Sequence, residues 1–158
     1  MRDDNWLLSR LDCIWSESFS DIPQVNPVFI CFGRFARLRF GSIRICPASG
    51  SRPTNWRATP QKTIITITGM FKDEKIPQVV VDHTIAHELC HYAHGFSSPH
   101  KRMHKYPHEG GVVALEMKNR GLIYLINDYK KWIKGYKEEL KVEYQKKRGI
   151  KWRILKGR

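Results

Sequence analysis

PQVVVDHTIAHELCHYAHG occupies residues 77–95, and this stretch decides how the rest of the chain is interpreted. Proline is tolerated in the first turn of a helix and glycine commonly follows the last turn, so the stretch predicts a helix over 77–94. Apolar residues flank the polar ones throughout, which is typical of a helix buried in a folded core. His87, Glu88 and His91 form the pattern H-E-x-x-H within it. We therefore expect the chemistry of the chain to lie on this helix.

The two histidines of the pattern have the spacing of metal ligands. An α-helix has about 3.6 residues per turn, so His87 and His91 lie one turn apart on the same face. Two imidazoles at that spacing can bind one Zn²⁺ ion. Glu88 lies beside them, where it can act as the general base on a metal-bound water. The pattern therefore predicts a zinc centre with His87 and His91 as ligands and Glu88 as the catalytic residue.

A catalytic zinc ion usually has three protein ligands and one open position, so a third ligand must come from elsewhere in the chain. The downstream candidates are His100, His104, His108, Glu109 and Glu116. We favour His108, because it follows Pro107 and opens a predicted amphipathic helix over 108–120 that would hold it rigidly. His100 remains an alternative, and Glu116 or Glu109 would serve in a site of the His₂Glu type.

Two further histidines lie on the same predicted helix but outside the motif. His83 precedes His87 by four residues, and His94 follows His91 by three. The simplest interpretation is that both are polar residues at the rim of the helix. The alternative is that they orient a ligand or donate a hydrogen bond to a developing oxyanion.

The remaining segments predict an α+β fold. The spacing of apolar residues predicts helices over 3–19, 108–120 and 122–147. A β-hairpin is predicted over 28–45, where apolar residues alternate with arginines, and a β-branched strand over 63–68. Residues 47–61 and 96–107 are predicted loops. We expect a single domain in which a small twisted sheet packs against the metal-binding helix and the further helices.

The composition argues against several classes of protein. The chain contains no run of about 18 apolar residues, so no membrane span is expected, and we find no signal peptide. The four cysteines are scattered and form no C-x-x-C pair, which argues against a zinc ribbon. We therefore expect a cytoplasmic protein with reduced thiols.

The charge of the chain is strongly positive, with 28 Lys and Arg residues against 15 Asp and Glu residues, a formal net charge of +13. Residues 130–158 hold twelve Lys or Arg and three Glu, a difference of +9. We therefore divide the chain into a catalytic domain over 1–129 and a basic, mostly helical extension over 130–158. Such an extension can contact the phosphates of DNA or another polyanion, and Trp56, Trp132 and Trp152 could stack on unpaired bases. DNA binding would imply a nucleoid-associated or nuclear location.

Taken together, three features resemble the SprT-like zinc metallopeptidases, the family that includes Spartan. They are the strand over 64–68, the helix carrying His87-Glu88-Leu89-Cys90-His91, and the Pro107-His108 pair before the next helix. The resemblance implies a zincin-like α+β core over 1–129, with one catalytic zinc ion held by His87, His91 and His108. It also implies hydrolysis of peptide bonds in protein substrates, which in Spartan are bound to DNA. Many SprT-like proteins carry a C-terminal Cys₄ zinc ribbon, which this chain lacks.

Two alternatives to a DNA-associated peptidase remain open. In one, the chain is a zinc peptidase without a nucleic-acid role, and its basic surface attracts acidic protein substrates. In the other, it is a non-catalytic SprT-like module that binds a metal or nucleic acid without turnover.

Overall fold

The computed structural model describes the backbone of residues 1–49 and 59–156, and the side chains of those residues as far as 146. The described chain forms a small α+β domain with a three-stranded sheet and four α-helices, as predicted. The strands are β1 (Val28–Phe32), β2 (Gly41–Pro47) and β3 (Gln61–Ile67). The helices are α1 (Asp4–Ser18), α2 (Gln78–Ala93), α3 (Val112–Asn119) and α4 (Ile123–Lys156), and two 3₁₀ turns cover Gly69–Lys72 and Glu109–Gly111.

The first two helices have the ends that their sequences predicted. Asp3 caps α1, because its side chain accepts a hydrogen bond from the backbone N–H of Trp6 at 2.8 Å. Helix α2 ends before Gly95, which has a φ of +76°. Glycine adopts this left-handed conformation without the strain that a side chain would introduce.

The predicted hairpin over 28–45 is wrong, because β1 and β2 do not pair with each other. β3 lies between them, parallel to β1 and antiparallel to β2. Residues 33–40 cross the end of β3 instead of forming a tight turn, and Gly33 donates a backbone hydrogen bond to Ile67 there at 2.7 Å. The β-branched strand therefore takes the central position, where Thr63, Ile65 and Ile67 are fully buried.

The helix predicted from residue 108 begins four residues later than expected. Gly110 and Gly111 have φ values of +58° and +75°, and these left-handed conformations interrupt a helical path. A short 3₁₀ turn therefore precedes α3, which begins at Val112. His108 lies at the start of this turn rather than in the first turn of an α-helix.

α2 lies at the centre of the domain, in contact with α1, α3, α4, β2 and β3. Its buried residues include Asp82, Glu88 and His91 beside the apolar side chains of the core. Asp82 is compensated by Arg10 of α1, whose guanidinium donates hydrogen bonds to both carboxylate oxygens at 2.9 and 3.0 Å. Glu88 and His91 face the candidate site described below. Most of the predicted loop over 47–61 lies outside the described residues.

α4 runs without interruption across residue 129, where we divided the chain. Trp132 and Tyr136, which follow the division, pack against the core through Phe40 and Phe71. The division into 1–129 and 130–158 stays a prediction, and the described contacts place the first turns of the extension on the domain. In the described part of the chain, every helix is too short or too polar to cross a membrane.

Candidate metal centre

The structure brings the three predicted ligands together. The ligand atoms of His87, His91 and His108 all lie within 4.8 Å of one another. α2 places the Nε2 atoms of His87 and His91 3.1 Å apart. His108 approaches from the loop after α2, with ring centroids 5.2 Å from His87 and 4.7 Å from His91. Among the described residues, this is the group of His, Cys, Asp and Glu side chains with the geometry of a metal site.

The donor set fits a zinc ion. Two nitrogens bound to one zinc ion at about 2.0–2.1 Å each can be at most about 4.2 Å apart, so the 3.1 Å separation allows a shared ion. The wider separations, up to 4.8 Å, involve His108, which is exposed in the turn before α3. Its assignment as third ligand stays a prediction that this geometry supports.

Burial prepares the two helical histidines to bind a cation. Burial, together with a smaller effect of the neighbouring histidines, lowers the pKa of His87 to about 4 and that of His91 to about 3. Both imidazoles are therefore neutral at pH 7, which is the form that binds a metal. His91 Nδ1 is buried without a hydrogen-bond partner in the described chain, so packing against Phe96 orients the ring.

The alternative ligands lie elsewhere. His100 contacts the backbone oxygen of Pro23, with its Nε2 3.0 Å away. Glu116 accepts a hydrogen bond from Arg120 at 2.8 Å and lies 3.7 Å from His94. The other two candidates are also engaged away from the cluster: Glu109 with the backbone N–H of Tyr106, and His104 with the ring of His94.

Glu88 is buried against the first residue of β2. A Cβ atom added to Gly41 would lie only 2.5 Å from Glu88 Oε1, so the absence of a side chain at position 41 makes room for the carboxylate. Burial raises the pKa of Glu88 to about 7, although Arg39 opposes the shift. A carboxyl group with this pKa can both accept and release a proton near neutral pH.

The sequence did not predict this contribution of Gly41, which lies within the segment predicted as a hairpin. Its pairing partner is Ile67 of β3, so it is the first residue of a strand. A glycine between apolar and polar residues is compatible with a turn or a strand, and its contact with Glu88 depends on how β2 packs against α2.

An open cleft of about 500 Å³ lies above the histidine cluster and Glu88. β2 forms one wall with residues 41–43, and α2 forms the floor. The loop after α2 forms the opposite side with Phe96, Ser97, Arg102, Pro107 and His108. The cleft therefore gives a ligand access to the cluster and to the carboxylate at once.

His83 and His94, the two histidines outside the motif, pack against different neighbours. His83 stacks on Tyr129 of α4, with ring centroids 3.9 Å apart and an interplanar angle of 5°. His94 is only 2% exposed, so its assignment to the rim of the helix is wrong. Burial lowers the pKa of His94, and the nearby Glu116 carboxylate opposes the shift. His83 borders the cleft region, whereas His94 belongs to a buried polar group with Glu116 and His104.

Comparison with known proteins does not add to this description: no family model, no curated protein and no solved structure matches the chain. The resemblance to the SprT-like peptidases thus rests on the sequence features given above.

Proposed function

We propose that this chain is a zinc-dependent metallopeptidase with a zincin-like, SprT-like core. One observation carries the proposal: His87, His91 and His108 lie together in an open cleft, beside a buried glutamate whose pKa is near neutrality. A purely structural metal site would have its positions closed by protein ligands. In the described chain, the cluster offers three ligands and faces the cleft.

His87, His91 and His108 would hold the metal, with the first two kept neutral by burial. A bound zinc ion would supply Lewis acidity, which polarises a carbonyl group and lowers the pKa of a water molecule. Glu88 accepts a proton from the attacking water and later releases it to the leaving amine. Its raised pKa suits both directions of transfer, because neither protonation state is strongly preferred at pH 7.

The cleft wall offers a way to hold a peptide in an extended conformation. In the described sheet, β2 is an outer strand, and its residues 41–43 line the cleft. Main-chain groups of an outer strand can form hydrogen bonds with an extended peptide. A substrate bound there would pass over Glu88 and the histidine cluster.

The proposal is tested by measuring metal content and proteolysis on the full chain. We expect about one zinc ion per chain, lost in His87→Ala, and cleavage of an unfolded protein substrate such as casein. Glu88→Gln should keep the zinc but lose nearly all activity, because the amide cannot accept the proton. Glu109→Gln is the matched control, since this exposed glutamate lies next to His108 but outside the cluster. Wild-type activity in Glu88→Gln would refute the mechanism. A zinc-loaded chain that cleaves nothing would favour the non-catalytic module.

We further propose that the substrates are proteins associated with DNA. Six lysines of the predicted extension are exposed along α4, namely Lys130, Lys131, Lys134, Lys137, Lys141 and Lys146. Lys131 and Lys141 are partly neutralised by Asp128 and Glu138. The extension's other basic side chains, with Trp56 and Trp152, lie outside the described residues. Trp132 packs against Phe40, Phe71 and Tyr136, so its proposed stacking on bases is not supported.

Affinity for DNA at increasing salt concentration tests this second step. Phosphate contacts release counterions, so affinity should fall steeply as salt rises. A DNA-binding protein should then be cleaved faster when DNA is present, whereas a free acidic protein should be cleaved at an unchanged rate. Absence of DNA binding at low salt, together with cleavage of the acidic protein, would favour a peptidase without a nucleic-acid role. The corresponding location is cytoplasmic, nucleoid-associated or nuclear.

A further inference from the structure

A second cavity of about 260 Å³ adjoins the catalytic cleft on the side of α3 and α4. His87 and His108 line both spaces, so the cavity begins at the predicted metal centre. The cavity lies between α2, α3 and α4, and Val113, Met117 and Ile126 contribute side chains that are at most 5% exposed. It is thus a surface pocket, walled in part by buried apolar side chains, that opens beside the predicted metal centre.

The surface of this pocket is mostly apolar, although its lining also includes three imidazoles and the exposed Lys130. Val113, Ala114 and Met117 come from α3, and Ile126 comes from α4. The ring of Tyr129, stacked on His83, forms another part of the wall. Peptide N–H and C=O groups would lose hydrogen bonds to water in such surroundings, whereas an aliphatic or aromatic side chain would lose none. The chemistry therefore favours a side chain over a main-chain segment as the occupant.

The size of the pocket sets the class of side chain. A cavity of about 150 Å³ lined by aliphatic side chains can hold a benzene molecule. At about 260 Å³, the pocket can receive a leucine or phenylalanine side chain and is underfilled by alanine. A substrate residue next to the scissile bond would be close enough to enter, because the pocket shares two residues with the predicted metal centre.

We propose that this pocket selects substrates with a large apolar side chain, of leucine or phenylalanine size, next to the scissile bond. Ala114, Met117 and Ile126 are then specificity-determining residues of the peptidase. The inference rests on the proposed function, because it assigns the pocket to the substrate of that reaction.

Ala114 offers the cleanest test. It is exposed on α3 and lines the pocket, so a larger side chain there narrows the pocket with little effect on the core. The matched control is Leu115→Phe, since Leu115 is the next residue on the same helix, is 59% exposed, and lies outside the lining. Both variants place a phenylalanine on α3, and only Ala114→Phe places it in the pocket.

The substrates are peptides that differ only at the two positions flanking the scissile bond, with alanine, leucine or phenylalanine at each. We expect wild type to cleave the better leucine or phenylalanine peptide with a kcat/KM at least about tenfold above that of the alanine peptide. Ala114→Phe should remove most of this preference and leave the alanine peptide nearly unchanged. Leu115→Phe should behave like wild type. Equal rates for all peptides in wild type, or an unchanged preference in Ala114→Phe, would overturn the inference.

A binding experiment separates failure of the pocket from failure of the proposed function. In the full chain carrying Glu88→Gln, the leucine peptide should shift the methyl NMR signals of Val113 and Met117, and the alanine peptide should not. Methyl shifts without hydrolysis in wild type would leave the pocket standing and count against the peptidase. Hydrolysis without preference and without methyl shifts would overturn the pocket and leave the peptidase standing.

Discussion

Replacing Gly41 with alanine should lower kcat for peptide hydrolysis strongly and the free energy of unfolding only modestly. The added Cβ atom would lie 2.5 Å from Glu88 Oε1 and 2.7 Å from Thr84 Cγ2. Ordinary van der Waals contact begins at 3.4 Å, so the two neighbours are too close by 0.9 and 0.7 Å respectively. Both belong to α2, but they differ in how they can respond.

The two contacts predict two separate effects. The Glu88 carboxylate ends a flexible side chain and can turn away at low cost, but it then leaves its place beside the cluster. A displacement of about 1 Å in a catalytic group can lower the rate on the order of 100-fold. Thr84 is β-branched, buried, and donates a hydrogen bond to Val80 at 2.9 Å, so it cannot rotate freely. Crowding it should cost about 1–3 kcal/mol, partly offset by about 0.4–1 kcal/mol because alanine restricts the unfolded chain.

The assay combines urea unfolding with peptide hydrolysis in three variants. Gly41→Ala should lose about 1–2 kcal/mol of stability and about 100-fold in kcat. Adding Thr84→Ser removes the crowded methyl group and keeps the hydroxyl, so stability should recover while activity stays low. The control Gly135→Ala, on an exposed part of α4 with no atom within 4 Å of the added Cβ, should gain up to about 1 kcal/mol and keep its activity. Full activity in Gly41→Ala, or its restoration by Thr84→Ser, would refute the reasoning.

Three further predictions follow from the described contacts. Burial lowers the pKa of His83 from 6.5 to about 4, so as the pH falls the unfolded chain binds a proton at this histidine before the folded chain does. This difference lowers the free energy of unfolding by about 3 kcal/mol between pH 6.5 and pH 4. In His83→Phe the loss over that range should be smaller by this amount, as measured by urea unfolding at both pH values. Arg120 contacts the backbone of α1 and Glu116 of α3, so Arg120→Met should cost about 2 kcal/mol, and an unchanged unfolding midpoint would contradict this. A chelator that removes the proposed zinc ion should lower the midpoint of thermal unfolding of the wild type, because a ligand that binds only the folded state stabilises that state. The same chelator should leave the midpoint of His108→Ala nearly unchanged.

The parts of the fold that depend on neighbouring residues could be predicted from the sequence. Asp3 and Gly95 mark the ends of α1 and α2 through local conformation and capping, and His87 and His91 are brought together by helical spacing alone. Strand order could not be predicted in the same way. The alternation over 28–45 indicated strands, but it carried no information on whether β1 and β2 would pair with each other or with β3. Pairing between distant segments depends on tertiary packing, which the local alternation does not encode.

The start of α3 shows a signal that was present and misjudged. Pro107 and His108 suggested a helix, while the consecutive glycines at 110 and 111 indicated an interruption. Each conformation with positive φ favours glycine, so two in a row predict a turn more strongly than the preceding proline predicts a helix. His108 still lies beside the other two histidines, with ring centroids 5.2 Å from His87 and 4.7 Å from His91.

The role of α4 was obscured by its charge. Trp132 and Tyr136 lie four residues apart, the spacing of one helical face, within a segment whose lysines suggested only a polyanion-binding extension. Phe40 receives both aromatic rings at centroid distances of 5.7 and 6.0 Å. Phe40 directly precedes Gly41, so the contact between α4 and Phe40 adjoins the start of β2, where Glu88 is packed. Weakening it, as in Trp132→Ala, should therefore loosen the wall against which the Glu88 carboxylate is positioned, although this tryptophan lies outside the cleft lining.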